Sequence, residues 1–474
     1  MSKFTGEIGR INNLQDMDFS MPENKREILN LFGTLIGAVL SLQQENQKLK
    51  DEINRLKGEK GKLDFTKSKN GAPNKPPKRY PVGNESRKQW TKSAKKSRIK
   101  VDRIEVVDVD PDLLPSDAVF KGYEEKLVQN IVITTDNVLY RLKKYYSSSE
   151  KKTIVAKPNV SVQNTEYGPE TKALISSLFY ENRVTENKIA SFLNANGLFI
   201  SEGTVSNILT DGLGGKMSEI KQNIFKAGLA SSIYQQIDDT SMNMEGKKGY
   251  ATIVCNERYS AFFINHRKNH KTIRSFLPEH LTDLFDVLVG DDAGQFKKLA
   301  KRYALCWVHE ERHYKKMNPV FLRHHEELER VRGEIWDYYD KLKAYKENFT
   351  EEKKSELWDS FDVLFGQQTE YEALNERLRL TLNKKSELLS VLDYPEVPLH
   401  NNLSENGVRE MVLKRKISGG VKSDKGRKAW ENNMTILGTC KKLGVSFLSF
   451  MKSVFSKEDT IDLPSMIRQL VAST

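Results

Sequence analysis

Only three cysteines occur in the chain, Cys255, Cys306 and Cys440, and none precedes position 255. Three scattered thiols cannot build a disulfide framework, which excludes a small secreted scaffold and fits a reducing compartment. Long apolar runs are missing as well. The best of them, Leu31 to Leu42, is interrupted by Gly33 and Gly37 and falls far short of the roughly 20 residues that span a bilayer. No secretory leader is evident, so a soluble cytoplasmic protein without membrane contact is expected. Most of the chain also lacks an excess of either charge. Of 76 basic and 64 acidic residues, 15 and 3 lie in residues 57–100, which leaves 61 of each sign elsewhere. The formal net charge of +12 is therefore one local block beside Pro73, Pro76, Pro77 and Pro81. A polyanion such as DNA is its natural partner, and a self-repelling linker is the plain alternative.

What is present begins with a heptad. Leu35, Leu42, Leu49 and Leu56 recur every seven residues, and Phe32, Val39, Asn46 and Ile53 fill the other core position. This pattern predicts a coiled-coil helix over 28–58 that makes a homodimer or higher oligomer, with the polar Asn46 fixing register. Residues 59–100 form the basic linker, expected to be disordered. Alternating β-branched residues at 104–109 and 126–134, punctuated by Pro111, Pro115 and Gly122, predict a small β-rich module over 101–160. At 474 residues the chain has room for two to four such units.

Over 168–215 the pattern becomes helical. Thr185 and Ser201 are suited to cap helices, Asn196-Gly197 to stop one, and Ile189, Leu193, Val205, Ile208 and Leu209 give each helix one apolar side. Two short helices so joined suit a helix-turn-helix whose Glu202, Gly203, Ser206 and Asn207 face the major groove. An ordinary helical hairpin fits the spacing as well.

From Ile233 the chain is mixed α/β. Strands are predicted at 233–238, 250–256, 260–265, 287–291 and 303–307, with helices near 271–280 and 293–301, then a charged helical insertion at about 309–390. Three acids stand out, Asp238 and Asp291 at the ends of strands and Glu405 on a helix. Glu405 shares a helical stripe with Val408 and Val412, so a carboxylate breaks an apolar face and needs a partner or a metal. A surface pair with Arg409 is the plain alternative. Such a trio suits hard divalent cations, which prefer oxygen ligands and leave room for water and phosphate. Each aspartate has an acidic neighbour, Asp239 or Asp292, and alternation along a strand lets only one of each pair reach the site. Cys306-x-x-His309 with His313 offers three possible zinc ligands, but no second cysteine pair completes a structural site.

The order of these elements is that of a ribonuclease-H-like core. Ile237-Asp-Asp-Thr, Gly290-Asp-Asp-Ala-Gly-Gln-Phe, Cys306-Trp-Val-His-Glu-Glu-Arg and Asn401-Asn-Leu-Ser-Glu-Asn-Gly-Val-Arg, followed by Lys414-Arg-Lys-Ile-Ser-Gly-Gly, resemble the successive motifs of the bacterial DDE transposases of the insertion sequence 66 family. The resemblance covers roughly residues 30–455. It implies a multidomain α/β protein with a ribonuclease-H-like catalytic domain at 230–455 that carries the helical insertion. A coiled coil, a small β-rich module and a helix-turn-helix would precede it. It further implies a DNA transposase, associated with the nucleoid, that cleaves element ends and transfers strands. Asp238, Asp291 and Glu405 would be the catalytic residues and would bind two Mg²⁺ or Mn²⁺. The partners implied are the terminal inverted repeats, target DNA and accessory proteins encoded by the same element.

In this resemblance Cys306 and His309 belong to a core motif, for which packing or positioning is expected and zinc is not. Ser206, Asn207, Lys414, Arg415, Lys416, Lys422, Lys425, Arg427 and Lys428 are the expected DNA contacts, the basic ones gripping phosphates around Gly419-Gly420. The sequence departs from the family pattern in two places. No cysteine-rich module follows the heptads, and His400 stands where the glutamate motif often begins with Asp. The competing function is a non-catalytic DNA-binding regulator or relic, against which the complete acidic trio argues.

Overall fold

A computed structural model describes residues 21–56, 99–158, 165–213, 215–276, 285–457 and 460–473. The chain divides into two compact units, one of Met1–Gln43 with Ile133–Thr474 and the other of Gln44–Val132. Pro22 opens a 35-residue helix, α1 (Pro22–Leu56), where its missing N–H loses no helical hydrogen bond. Along α1 the heptad residues Phe32, Leu35, Val39 and Leu42 are exposed, whereas Leu31 is buried. The side chains of Asn46, Leu49, Ile53 and Leu56 lie outside the described residues, as does nearly all of 59–100.

Residues 99–132 are extended and almost wholly exposed, apart from one tight turn at Pro111–Leu113. The strands expected at 104–109 and 126–134 do not form. Their β-branched residues have the propensity, but a strand also needs a partner for its backbone and a surface for its apolar face. Ile104, Val106, Ile131 and Val132 find neither and stay exposed. Pairing occurs later, in the antiparallel hairpin β1 (Lys144–Ser147) and β2 (Lys152–Val155).

A helical block follows, α2 (Pro169–Ser176) running into a wider turn at Ser177–Glu181, then α3 (Glu186–Ala195), α4 (Glu202–Thr210) and α5 (Lys216–Leu229). Ile189 and Leu193 of α3 and Val205, Ile208 and Leu209 of α4 are buried as their spacing requires. Ser201 caps α4 by accepting from the Thr204 N–H at 3.1 Å. Thr185 does not cap α3: its hydroxyl donates to Asn187 Oδ1 at 2.6 Å instead.

The centre of the first unit is a mixed five-stranded sheet of β3 (Tyr234–Met244), β4 (Lys247–Cys255), β5 (Ser260–Asn265), β6 (Val287–Gly290) and β7 (Arg302–Leu305), in spatial order β5-β4-β3-β6-β7. The pairs β3–β4 and β4–β5 are antiparallel, and β3–β6 and β6–β7 are parallel. Asp238 does not end its strand. β3 continues to Met244 and turns back at Glu245-Gly246, whose φ values of 52° and 78° are those of a tight hairpin turn. One short helix, α6 (His270–Arg274), follows β5. The helix expected at 293–301 is a chain of turns, Phe296 to Ala293 and Leu299 to Phe296, so every third residue, not an i,i+4 stripe, faces inward.

After β7 come α7 (Trp307–Lys315), α8 (Leu322–Glu347), α9 (Glu351–Gly366) and α10 (Glu372–Leu382), then two short turns of helix, α11 (Lys385–Leu388) and α12 (Ser390–Asp393). They gather around the buried Trp307, whose ring lies 5.6–6.5 Å from those of Tyr338, Tyr339, Phe361 and Phe365. The chain then returns to the sheet with α13 (Asn402–Ser418), which packs on β3 and β4. Gly407 permits that approach: a Cβ there would fall 2.1 Å from Ile253 Cδ1. The last helices are α14 (Asp424–Leu443), α15 (Phe447–Ser456) and α16 (Leu463–Ala472).

β5 is an edge strand, and α14 closes its edge with side chains. Glu431 Oε1, Thr435 Oγ1 and Thr439 Oγ1 accept from the N–H groups of Ile264, Phe262 and Ser260 at 3.0, 3.0 and 3.3 Å. Four helical residues rise about 6.0 Å and two strand residues about 6.6 Å, so the i, i+4, i+8 positions of α14 match alternate N–H groups of β5. An edge that could template another strand is thereby occupied. Among the described residues no helix is long and apolar enough to cross a membrane.

Candidate active site

The parallel pairing of β3 and β6 ends with Gln236 opposite Val289. Two residues further along each chain come Asp238 and Asp291, so the register that aligns the strands also sets these carboxylates side by side. Burial pushes the Asp238 carboxyl up to about 7, and the negative charges of Asp291, Asp239 and Glu405 push in the same direction. One bond opposes this, the Asp239 N–H donating to Asp238 Oδ1 at 2.7 Å. Asp291 is also raised, chiefly by burial, and accepts from the Ala293 N–H at 3.3 Å. Its backbone carbonyl accepts from the Tyr303 hydroxyl at 2.6 Å. Gly290 makes way for that hydroxyl, which a Cβ there would meet at 2.4 Å.

The acidic neighbours have a different environment. Asp239 pairs with Lys268 at 3.1 Å and accepts from Gln295 at 3.0 Å. Asp292 pairs with Lys297 at 2.7 Å and Lys384 at 2.6 Å. Burial raises the Asp292 carboxyl, but hydrogen bonds from Lys297 and Lys384 outweigh it and hold the group low. The second member of each pair is thus neutralised by lysine, whereas the first makes no ion pair of its own among the described residues: Asp238 is raised by burial and by neighbouring acids, and Asp291 by burial, against the opposing charges of His309 and Lys268.

Glu405 arrives from α13, and its helix is fastened to β3 by two fully buried amides. Gln236 Oε1 accepts from the N–H groups of Leu403 and Ser404 at 3.0 and 3.3 Å, and its Nε2 donates to the His400 carbonyl at 3.3 Å. Asn401 Nδ2 donates to the Ile237 carbonyl at 2.9 Å. The strand that carries Asp238 thereby caps the helix that carries Glu405. Sequence reasoning missed Gln236, although two consecutive glutamines, Gln235 and Gln236, just before Ile237-Asp238 in a strand expected to be buried were a signal.

Glu405 does not pair with Arg409. Its ion pairs run to His309 Nε2 and Arg312 at 3.6 Å each, while Oε1 is buried with no hydrogen-bond partner among the described residues. Burial holds the His309 imidazole low, helped by Arg312 and opposed by Glu405 and Asp291. Asp291, Cys306, His309 and Arg312 line one pocket of about 330 Å³. The donor set fits a divalent cation: two aspartates raised by burial and an orphaned glutamate oxygen are what such an ion satisfies.

The basic residues after Glu405 divide into several environments. Lys414 is buried, not DNA-facing, which corrects the sequence expectation. Its amino group donates to the Phe179 carbonyl at 2.7 Å and lies over the rings of Phe179, Tyr180 and Trp430. Burial pulls it down to about 7. Nine residues after Glu405 is two and a half helical turns, so Lys414 lies on the opposite side of α13, where Phe179 and Trp430 cover it. Arg427 is held by Asp424 at 2.7 Å and Glu431 at 2.6 Å, Lys428 by Asp424 at 3.0 Å and Lys425 by Asp211 at 3.1 Å. Arg415 reaches Thr240 Oγ1 at 3.3 Å. Lys416 and Lys422 are exposed and make no ion pair among the described residues. On α4, Asn207 is exposed and Ser206 half-buried.

Residues 164–429 match the family described as "Transposase IS66 family". The match covers more than half of the 474 residues, and the chain belongs to this family. A protein of Sinorhizobium fredii (strain NBRC 101917 / NGR234), described only as "Uncharacterized protein y4jO", is 41% identical over 165 residues, 35% of this chain and 51% of that protein. The chain thus spans about half the length of the curated relative that it matches.

Proposed function

We propose that the chain is the DNA transposase of an insertion sequence, cleaving and joining element ends through Asp238, Asp291 and Glu405. The sheet order, two antiparallel pairs followed by two parallel ones, is that of a ribonuclease-H-like core. The observation that carries the reading is the contrast within each aspartate pair. Lysines neutralise Asp239 and Asp292, while Asp238 and Asp291 lie together with raised carboxyls near Glu405. Two Mg²⁺ or Mn²⁺ held by these three acids would activate the attacking oxygen and stabilise the leaving one.

The residues of the chain hold that geometry. The β3–β6 register aligns the aspartates, Gln236 and Asn401 fix the α13 terminus, and Tyr303 braces the Asp291 backbone. In this reading α3 and α4 are a helix-turn-helix that presents Asn207 to DNA, Lys416 and Lys422 contact phosphates, and the exposed heptad face of α1 pairs with a second copy. Strand cleavage on terminal-repeat DNA tests the assignment. Asp291→Asn should abolish cleavage while the gel shift of that DNA survives; cleavage that persists rejects it.

A further inference from the structure

Cys306, His309 and Glu405 place a sulfur, a ring nitrogen and a carboxylate oxygen within 4.8 Å of one another. Among the described residues no other three such side chains bring their ligand atoms this close together. The sequence offered His313 as the third member of a Cys/His set; the fold brings in Glu405 from α13 instead.

Each member carries an independent mark. Cys306 is buried at the residue that opens α7; burial pushes its thiol up, and nearby backbone N–H groups oppose this. A divalent cation bound beside it would displace the proton and take the thiolate, the form that ligates a metal. His309 Nδ1 and Glu405 Oε1 are both buried without a hydrogen-bond partner among the described residues. Glu405 Oε1 lies 3.6 Å from His309 Nε2, close to the ~3.4 Å that separates two ligands on a tetrahedral ion with bonds of about 2.1 Å. Arg312 Nη1 stands 3.0 Å from His309 Nε2 and supplies positive charge here. Its side chain is 44% exposed, which leaves it room to swing aside for an ion of the same sign.

We propose that Cys306, His309 and Glu405 form a second metal site for a borderline-soft divalent ion such as Zn²⁺, with solvent in the fourth position. Thiolate and imidazole select that ion over Mg²⁺, which prefers an all-oxygen shell. The two sites share Glu405, so filling the soft site withdraws this carboxylate from Asp238 and Asp291, and Zn²⁺ acts as an inhibitor of the Mg²⁺-dependent reaction. This last consequence rests on the catalytic reading of Glu405; the site itself does not.

Titration of the metal-free full chain with Co²⁺ tests the site directly. The expected result is one equivalent bound with a thiolate-to-cobalt charge-transfer band in the near ultraviolet, displaced by Zn²⁺. Cys306→Ser, nearly isosteric, should lose the band, and His309→Asn should weaken binding at least tenfold. Asp238→Asn and Cys440→Ser should keep it, and circular dichroism confirms that each variant is folded. Absence of the band, or its survival in Cys306→Ser, overturns the proposal. A second arm separates the two readings. Zn²⁺ should inhibit cleavage in the original chain, and Cys306→Ser should need at least tenfold more of it. A cobalt band without Zn²⁺ inhibition upholds the site and rejects Glu405 as a catalytic ligand. No band together with loss of cleavage in Asp291→Asn rejects the site and upholds the catalytic trio.

Discussion

Two kinds of buried acid occur in the unit that carries the sheet. Glu431 on α14 receives Lys221 at 2.6 Å, Arg427 at 2.6 Å and the Ile264 N–H at 3.0 Å, so its charge is met on every side. Glu310 on α7 is met likewise, by Arg377, Lys384 and Thr381. Beyond the end of the β3–β6 pairing the opposite holds: Asp238 and Asp291 are raised by burial, Asp238 also by neighbouring acids, and Glu405 Oε1 has no hydrogen-bond partner among the described residues. An acid that holds a fold together is saturated by its own chain. In the proposed function the second kind is kept for chemistry, positioned by its backbone with its carboxylate left for a cation from outside.

The comparison breaks most visibly at Glu431. Glu431→Ala strands the buried Lys221 and reopens the β5 edge, and should lower stability by about 3–5 kcal/mol in denaturant unfolding. A loss below 1 kcal/mol would put Glu431 in the wrong class. Next in size is Gln236→Leu, which keeps the volume but removes the cap from α13. Cleavage should fall about 10–100-fold with a raised Mg²⁺ requirement, whereas an unchanged metal dependence would make Gln236 merely structural.

Asp238→Asn should move stability in the other direction. A carboxyl raised to about 7 from its ordinary value of about 3.9 binds its proton more tightly when folded, so its stabilising contribution is complete below about 4 and lost as pH rises through about 7. The substitution should therefore raise the melting temperature of metal-free protein at pH 8, by a gain on the order of 1–2 kcal/mol. That gain should shrink at lower pH, and stabilisation independent of pH would count against the like-charge account. The smallest effect separates the lysines. Lys422→Ala should weaken DNA binding a few-fold and reduce its salt dependence by about one phosphate contact, while Lys414→Met should leave that slope unchanged.

Much of this was legible in the sequence. Strand alternation located all five strands of the sheet, and the doubled aspartates and Glu405, picked out as candidates, lie where the proposed function needs them. The β3 extension past Asp238 was not legible, because Thr240-Ser241-Met242-Asn243 has the polarity of a loop and only pairing with β4 makes it a strand. Choosing between Asp238 and Asp239 from the residues alone was equally out of reach, since the deciding partner Lys268 lies beyond two more strands. Lys414 read as a phosphate contact because its aromatic surroundings come from α14 and from the turn after α2. The juxtaposition of Cys306 with Glu405 depends on the whole insertion folding between them.

The side-chain ladder from α14 to β5 has a further consequence. Its two repeats, helix and strand, differ by about 0.6 Å per rung, so it works like a vernier whose marks coincide over only a short span. Three rungs cover the six residues of β5, and a much longer edge strand would slip out of phase with any straight helix. Strand and helix therefore limit each other's length. Insertions in β5 should be tolerated far less than insertions in the loops that flank it, and a copy with one extra pair of strand residues should associate edge to edge before it loses its fold.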